Sequence, residues 1–188
     1  MNLADAAAAI EAKFSIKKKT EFRGETTLVI ERNDIVELCR FCKKDLGFDC
    51  LLDISSVDNF GEEPRYEMVY ELYSMTHAHH LRLKFTVSEE DAEVPSICYI
   101  YAGANWHERE VFDMMGLKFA GHPDLRRILM WDGYPYYPLR KDFPLAGKPS
   151  DMPEVAFSRP APLEGGPFVT VPSTATVKDR EPRARRLD

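Results

Sequence analysis

Two neighbouring segments repeat with period two, the second in strict alternation, and this constrains the chain more than any other feature. In residues 66–74, Tyr66, Met68, Tyr70 and Leu72 fall on one face, with Glu67 and Glu71 on the other. In residues 80–87, Leu81, Leu83, Phe85 and Val87 alternate with His80, Arg82, Lys84 and Thr86. Successive side chains of an extended chain point to opposite faces, so each segment predicts a strand with one buried side. Met75 to His79 supplies the hairpin turn between them. One polar face per strand predicts a mostly antiparallel or mixed sheet covered on its other side by helices.

The flanking sequence supplies those helices. Leu3 to Phe14 is Ala-rich and helical in character. Ile35, Leu38, Cys39, Cys42 and Leu46 recur at helical spacing and stop before Gly47, with Asp34 and Glu37 in capping-box spacing ahead of them. Residues 26–30 and 48–57 have strand character, and residues 89–95 form a loop. Ser96 to Tyr101 begins helical structure, and Asn105 with Glu108 predicts a capped helix ending at Gly116. The fold class is α+β, in two layers, with an extended irregular C-terminal arm.

Composition divides the chain. The 188 residues carry a net charge of −6, with −7 on residues 1–147 and +1 on residues 148–188. The latter hold seven of the 13 prolines and no hydrophobic period, so they read as an extended arm following one α+β domain. An acidic body argues against nucleic acid as the partner, even with Arg180, Arg183, Arg185 and Arg186 at the end. The N-terminus lacks the basic start of a signal peptide, and the longest apolar stretch, near residues 97–106, is too short to span a bilayer. A soluble protein of a reducing compartment is expected, meeting a membrane only through a partner.

The candidate chemistry is thin. Cys39 and Cys42 form a C-x-x-C, but within an amphipathic helix facing the core and with no second pair, so they read as buried free thiols. His77, His79 and His80 fall in the hairpin turn without a neighbouring carboxylate or thiol, and read as a solvated turn. His107-Glu108 starts like a zincin helix, but Val111 stands where the second histidine is required. No glycine-rich phosphate loop is present. A stand-alone metalloenzyme using His77, His79, His80 and His107 is therefore disfavoured, and no catalytic, cofactor-binding or metal-binding residue is expected.

Residues 105–145 are unusual. They interleave charges with Trp106, Phe112, Phe119, Trp131, Tyr134, Tyr136, Tyr137 and Phe143, stiffened by Pro123, Pro135, Pro138 and Pro144. Aromatics among arginines and carboxylates on a rigid backbone favour an obligate interface ahead of an active site. The expected interface residues are Trp106, Glu108, Arg109, Glu110, Asp113, His122, Asp124, Arg126, Arg127, Arg140, Lys141, Asp142 and Phe143.

The blocks Asn105-Trp106-His107-Glu108-Arg109-Glu110-Val111-Phe112-Asp113-Met114-Met115-Gly116, Gly121-His122-Pro123-Asp124-Leu125-Arg126-Arg127-Ile128-Leu129 and Pro138-Leu139-Arg140-Lys141-Asp142-Phe143-Pro144-Leu145 resemble, in order and spacing, the thirty-kilodalton subunit family of respiratory NADH–quinone oxidoreductase, complex I. One departure is Tyr136-Tyr137, where the family usually has Gly-His. The resemblance implies a two-layer α+β subunit of the peripheral arm, without catalytic residues of its own. It implies a role in assembling and stabilising the quinone-site module of a complex that passes electrons from NADH, through FMN and iron–sulfur clusters in partner subunits, to quinone, coupled to proton translocation. It also implies subunits D, B and I as partners, and a peripheral position on the cytoplasmic face of the bacterial inner membrane. The equivalent subunit of a ferredoxin- or F420-linked dehydrogenase, or of a membrane hydrogenase, is the other reading.

Overall fold

The structure is a computed structural model and describes residues 2–144. The expected arm, residues 148–188, lies outside the described residues, as does Leu145 of the third motif block. Helix α1 spans Leu3–Lys13, opened by a reciprocal capping box between Asn2 and Asp5. Strands β1 (Ile16–Phe22) and β2 (Glu25–Ile30) follow, then α2 (Ile35–Asp45), β3 (Cys50–Asp58), β4 (Tyr66–Ser74) and β5 (His79–Val87). The described chain continues through β6 (Glu93–Pro95), α3 (Ala104–Met115) and β7 (Lys118–Ala120).

The five long strands form one sheet in the order β1-β2-β5-β4-β3. β4 and β5 make the expected antiparallel hairpin, with Tyr66 opposite Val87 and Leu72 opposite Leu81. β2 joins β5 in parallel, which makes the sheet mixed. Their alternation buries Tyr66, Met68, Tyr70, Leu72, Leu81, Leu83, Phe85 and Val87 in a single core with Ile10 of α1 and Leu38, Cys39 and Cys42 of α2. Burying a Leu, Phe or Met side chain contributes roughly 1.5–3 kcal/mol, so this face supplies a large share of the drive to fold. On the other face, cross-strand pairs satisfy the charges: Lys84–Glu67 at 2.9 Å, and Arg82 with both Glu25 and Glu71.

Three sequence readings are corrected, and one strand, β1, was missed. β1 carries the run Lys17-Lys18-Lys19, exposed on the sheet edge, and so shows no apolar period; lysines on an edge discourage further pairing. Residues 93–95 of the expected loop pair in parallel with β7. Asp34 does not cap α2: a 3-10 turn over Arg32–Asp34 leads into the helix, and Glu37 pairs with Arg40 instead. Ser96 to Tyr101 is a chain of turns, not the start of a helix. Among the described residues no helix is long and apolar enough to cross a membrane.

Candidate functional site

Helix α3 is the base of the site. It begins after Gly103 without a side-chain cap, so Asn105 and Glu108 do not form the expected capping pair. Glu108 points inward and is fully buried, as is Asp113, and Arg109 is nearly so. Trp106 and Glu110 face outward, Trp106 with 63% of its surface exposed. The helix ends at Gly116, whose amide donates to the Phe112 carbonyl and whose φ of 80° lies in the left-handed region. Only glycine reaches that region readily, and here space matters too. A Cβ on Gly116 would stand 2.6 Å from Arg140 Nη2 and 2.8 Å from the Tyr137 ring.

Those two side chains belong to a strap, residues 121–144, that crosses α3 without regular secondary structure. A proline-rich segment cannot satisfy its own backbone, and buried backbone groups must find partners. Side chains and turns provide them. The Asp113 carboxylate accepts amides from Ile128 (3.0 Å), Leu129 (2.6 Å) and Met130 (2.8 Å), and a guanidinium N–H from Arg127 (2.6 Å). Arg109 donates to the carbonyls of Arg126 (3.1 Å) and Arg127 (3.3 Å). Arg127 donates to the carbonyls of Asp113 (3.0 Å) and Tyr136 (3.2 Å). Arg140 caps the end of α3 through the Met115 carbonyl at 2.6 Å, placing a cation where the helix dipole is negative.

The strap is clasped to the sheet as well. Arg65, at the start of β4, grips Asp58 with two parallel bonds (2.8 and 2.9 Å), and Asp58 also accepts the Lys141 amide at 2.8 Å. Arg65 further reaches Glu89 (2.7 Å) and Asp142 (3.3 Å). Aromatic faces fill the gaps between guanidiniums: Tyr137 lies between Arg140 (4.5 Å) and Arg127 (5.1 Å), and Tyr66 under Arg65 (5.1 Å) and Arg140 (5.6 Å). Tyr137 thus has a packing role at one of the positions where the family usually has Gly-His.

These bonds set the charge states. Burial alone raises the Asp113 carboxyl, but the strap amides and Arg127 outweigh it and hold it below the ordinary range. The bidentate Arg65 holds Asp58 below its ordinary value against burial. Glu108 differs. Its oxygens accept from the Ser96 hydroxyl (2.7 Å), the Ile97 amide (2.8 Å) and the Cys98 thiol (3.2 Å), yet burial prevails and raises its pKa. Burial also pushes the Cys98 thiol up to about 12.

Of the residues expected at an interface, Glu108, Arg109, Asp113, Arg127 and Arg140 are therefore bonded within the chain. His122 sits at the root of the strap, between the Asn105 carbonyl (3.2 Å) and the Asp124 amide (3.0 Å). Trp106, Glu110, Asp124, Arg126, Lys141, Asp142 and Phe143 form an outer rim, where Asp124 and Arg126 pair in solvent at 3.0 Å. A recess of about 230 Å³ opens in this rim between Pro135, Tyr136, Tyr137, Arg140, Asp142 and Phe143. Cys39 and Cys42 are buried free thiols, as expected. Sequence reasoning missed Asp58 and Arg65. Asp58 continues the inward alternation of Ile54 and Ser56, which was the available signal.

The arrangement is a rigidified surface segment, and it falls within the part of the chain that known proteins match. The sequence profile of the respiratory-chain NADH dehydrogenase 30 kDa subunit matches residues 28–149. The C subunit of the NADH-quinone oxidoreductase of Geotalea uraniireducens is 45% identical over 133 residues, covering 71% of this chain and 81% of that protein. Among solved structures, a trypsin-resistant fragment of Nqo5 superposes with a TM-score of 0.59 at 30% identity, over 66% of this chain and all of the fragment. A chain of the membrane-bound sulfane sulfur reductase, an archaeal respiratory membrane complex, superposes at 0.67 and 25% identity, over 76% of this chain and 85% of that one.

Proposed function

The chain belongs to the 30 kDa subunit family of the respiratory-chain NADH dehydrogenase, and from that premise we propose that it is a non-catalytic subunit of the peripheral arm of complex I. The complex takes electrons from NADH through FMN and iron–sulfur clusters, all held by partner subunits, to quinone, and couples this to proton translocation. This chain assembles and stabilises the quinone-site module against subunits D, B and I, on the cytoplasmic face of the bacterial inner membrane, and meets the membrane only through the complex.

One observation carries this reading. The charges that a catalytic site would use are spent on holding the strap, which leaves an outer rim that includes Trp106, Lys141 and Phe143 on a stiff backbone. A surface ordered before binding loses little entropy on docking, and aromatic anchors beside charged neighbours are the usual composition of binding hot spots.

The test replaces Trp106 and Phe143 by glutamate, separately, in the native host. Each variant should fold as the wild type in isolation, and the amount of assembled, quinone-reducing complex should fall several-fold. Full assembly with both variants would remove the rim from the interface. A second reading, the equivalent subunit of a complex with another electron donor, is supported by the likeness to the sulfane sulfur reductase chain. Donor specificity of the purified complex separates the two.

A further inference from the structure

Three fully or nearly fully buried carboxylates can be compared among the described residues. Asp58 is met by Arg65 and Asp113 by Arg127. Glu108 accepts hydrogen bonds from neutral groups, the hydroxyl of Ser96, the amide of Ile97 and the thiol of Cys98, and has the His122 ring beside it in place of an arginine. A buried carboxyl without a counter-charge is costly to ionise, and it is relieved by keeping its proton, by a paired cation or by a metal ion.

The groups around Glu108 are those a borderline-soft cation selects. One ligand atom each from Cys98, Glu108 and His122 lie within 4.8 Å of one another. Metal–ligand bonds of roughly 2.0–2.3 Å place neighbouring donors of a tetrahedral shell about 3.3–3.8 Å apart. Small side-chain rotations close the difference. The three residues come from separate elements, the turns after β6, helix α3 and the root of the strap, and main-chain bonds hold these together. The Ser96 amide donates to the Ala120 carbonyl at 2.9 Å, and the His122 amide donates to the Phe119 carbonyl at 3.2 Å. Cys98 and His122 are partly exposed, which gives an ion a way in.

We infer that Cys98, Glu108 and His122 form a site for one divalent transition-metal ion of the zinc type, with water as the fourth ligand. As the metal–sulfur bond forms, the Cys98 proton leaves to solvent, and Glu108 exchanges the thiol hydrogen bond for the metal. His122 Nε2 releases the Asn105 carbonyl to ligate, its proton moves to Nδ1 through solvent, and Nδ1 gives up the Asp124 amide, which turns to water. Thiolate and carboxylate carry two negative charges, which balance the dication. The ion ties the root of the strap to α3, so binding stabilises the docked strap.

The test titrates Co²⁺ and Zn²⁺ into the metal-free full-length chain. One equivalent of Co²⁺ should bind with a sulfur-to-cobalt charge-transfer band and a four-coordinate visible spectrum. Cys98→Ser should abolish the band and weaken Zn²⁺ binding at least about tenfold, as a lost ligand does. In the unsubstituted chain, Zn²⁺ should slow alkylation of Cys98 and leave Cys50 unaffected, a readout that needs no variant to fold. The inference is overturned if no sulfur band appears or if Zn²⁺ leaves Cys98 alkylation unchanged. It is equally overturned if stoichiometric binding survives Cys98→Ser and is lost in His77→Gln.

Discussion

Replacing Asp113 by alanine removes the group that gathers the strap onto α3. The carboxylate is fully buried and accepts three consecutive amides and one arginine N–H. Breaking a buried pair from one side costs about 3–5 kcal/mol, because the remaining charge is left without a partner. Each buried amide left unmade adds about 1–3 kcal/mol. These costs do not simply sum, since Arg127 and the strap amides can turn to water once the strap lifts. The expected loss is therefore capped at about 3–5 kcal/mol, concentrated in strap docking rather than in the sheet. The assay is hydrogen exchange on the isolated chain together with urea unfolding. Ile128, Leu129 and Met130 should lose protection, whereas Met68, Tyr70, Leu83 and Phe85 keep theirs. Asp124→Ala, which removes a solvent-exposed pair, should change stability by less than about 1 kcal/mol. If Asp113→Ala kept the protection of 128–130 and lost under about 1 kcal/mol, Asp113 would not be what holds the strap.

Further outcomes follow from the same geometry. Gly116→Ala should cost about 2–4 kcal/mol, since a positive φ and the contacts at 2.6 and 2.8 Å both oppose it. Gly24→Ala, at φ +81° in open space, should cost only about 1–2 kcal/mol, so the difference in urea midpoint isolates the steric part. Acid should destabilise the strap. Folding lowers the pKa of Asp113 and Asp58 below the ordinary 3.8, so their contribution is complete above that value and is lost as pH falls through the lowered pKa. Melting temperature against pH should drop below about pH 4, and Asp58→Asn or Asp113→Asn should flatten the slope. Native-state alkylation should reach Cys50 well before Cys39 and Cys42, which are fully buried, with the Cys42 thiol raised by burial to about 12. Mass mapping of the labelled chain checks the order.

Some parts of this molecule are legible in its sequence and others are not, for physical reasons. The β4–β5 hairpin is legible because alternation and burial agree at every position but Val69. β1 is not, because its stability comes from pairing with β2 and its exposed lysines leave no apolar trace. The two expected capping pairs failed for a shared reason. A spacing of three residues is local, but burial recruits Glu108 toward Ser96 and Ile97, and a 3-10 turn displaces Asp34. In the candidate site, the motif blocks drew attention to Asp113, Arg127 and Arg140. Their partners are main-chain groups of the strap and the end of α3, which no side-chain pattern announces. The Asp58–Arg65 clasp takes hold of the strap through the Lys141 amide, 83 residues from Asp58 in the chain, and only the folded structure brings them together.

The central claim is that this chain acts as one subunit of a respiratory complex rather than alone. Affinity purification of the tagged native chain from host membranes, with identification of its companions and assay of NADH oxidation and quinone reduction, tests it most directly. The expected result is recovery of an assembly that oxidises NADH and reduces quinone, and several-fold loss of that assembly when Trp106 or Phe143 is replaced by glutamate. Recovery of the chain alone, without quinone-reducing partners, would contradict it.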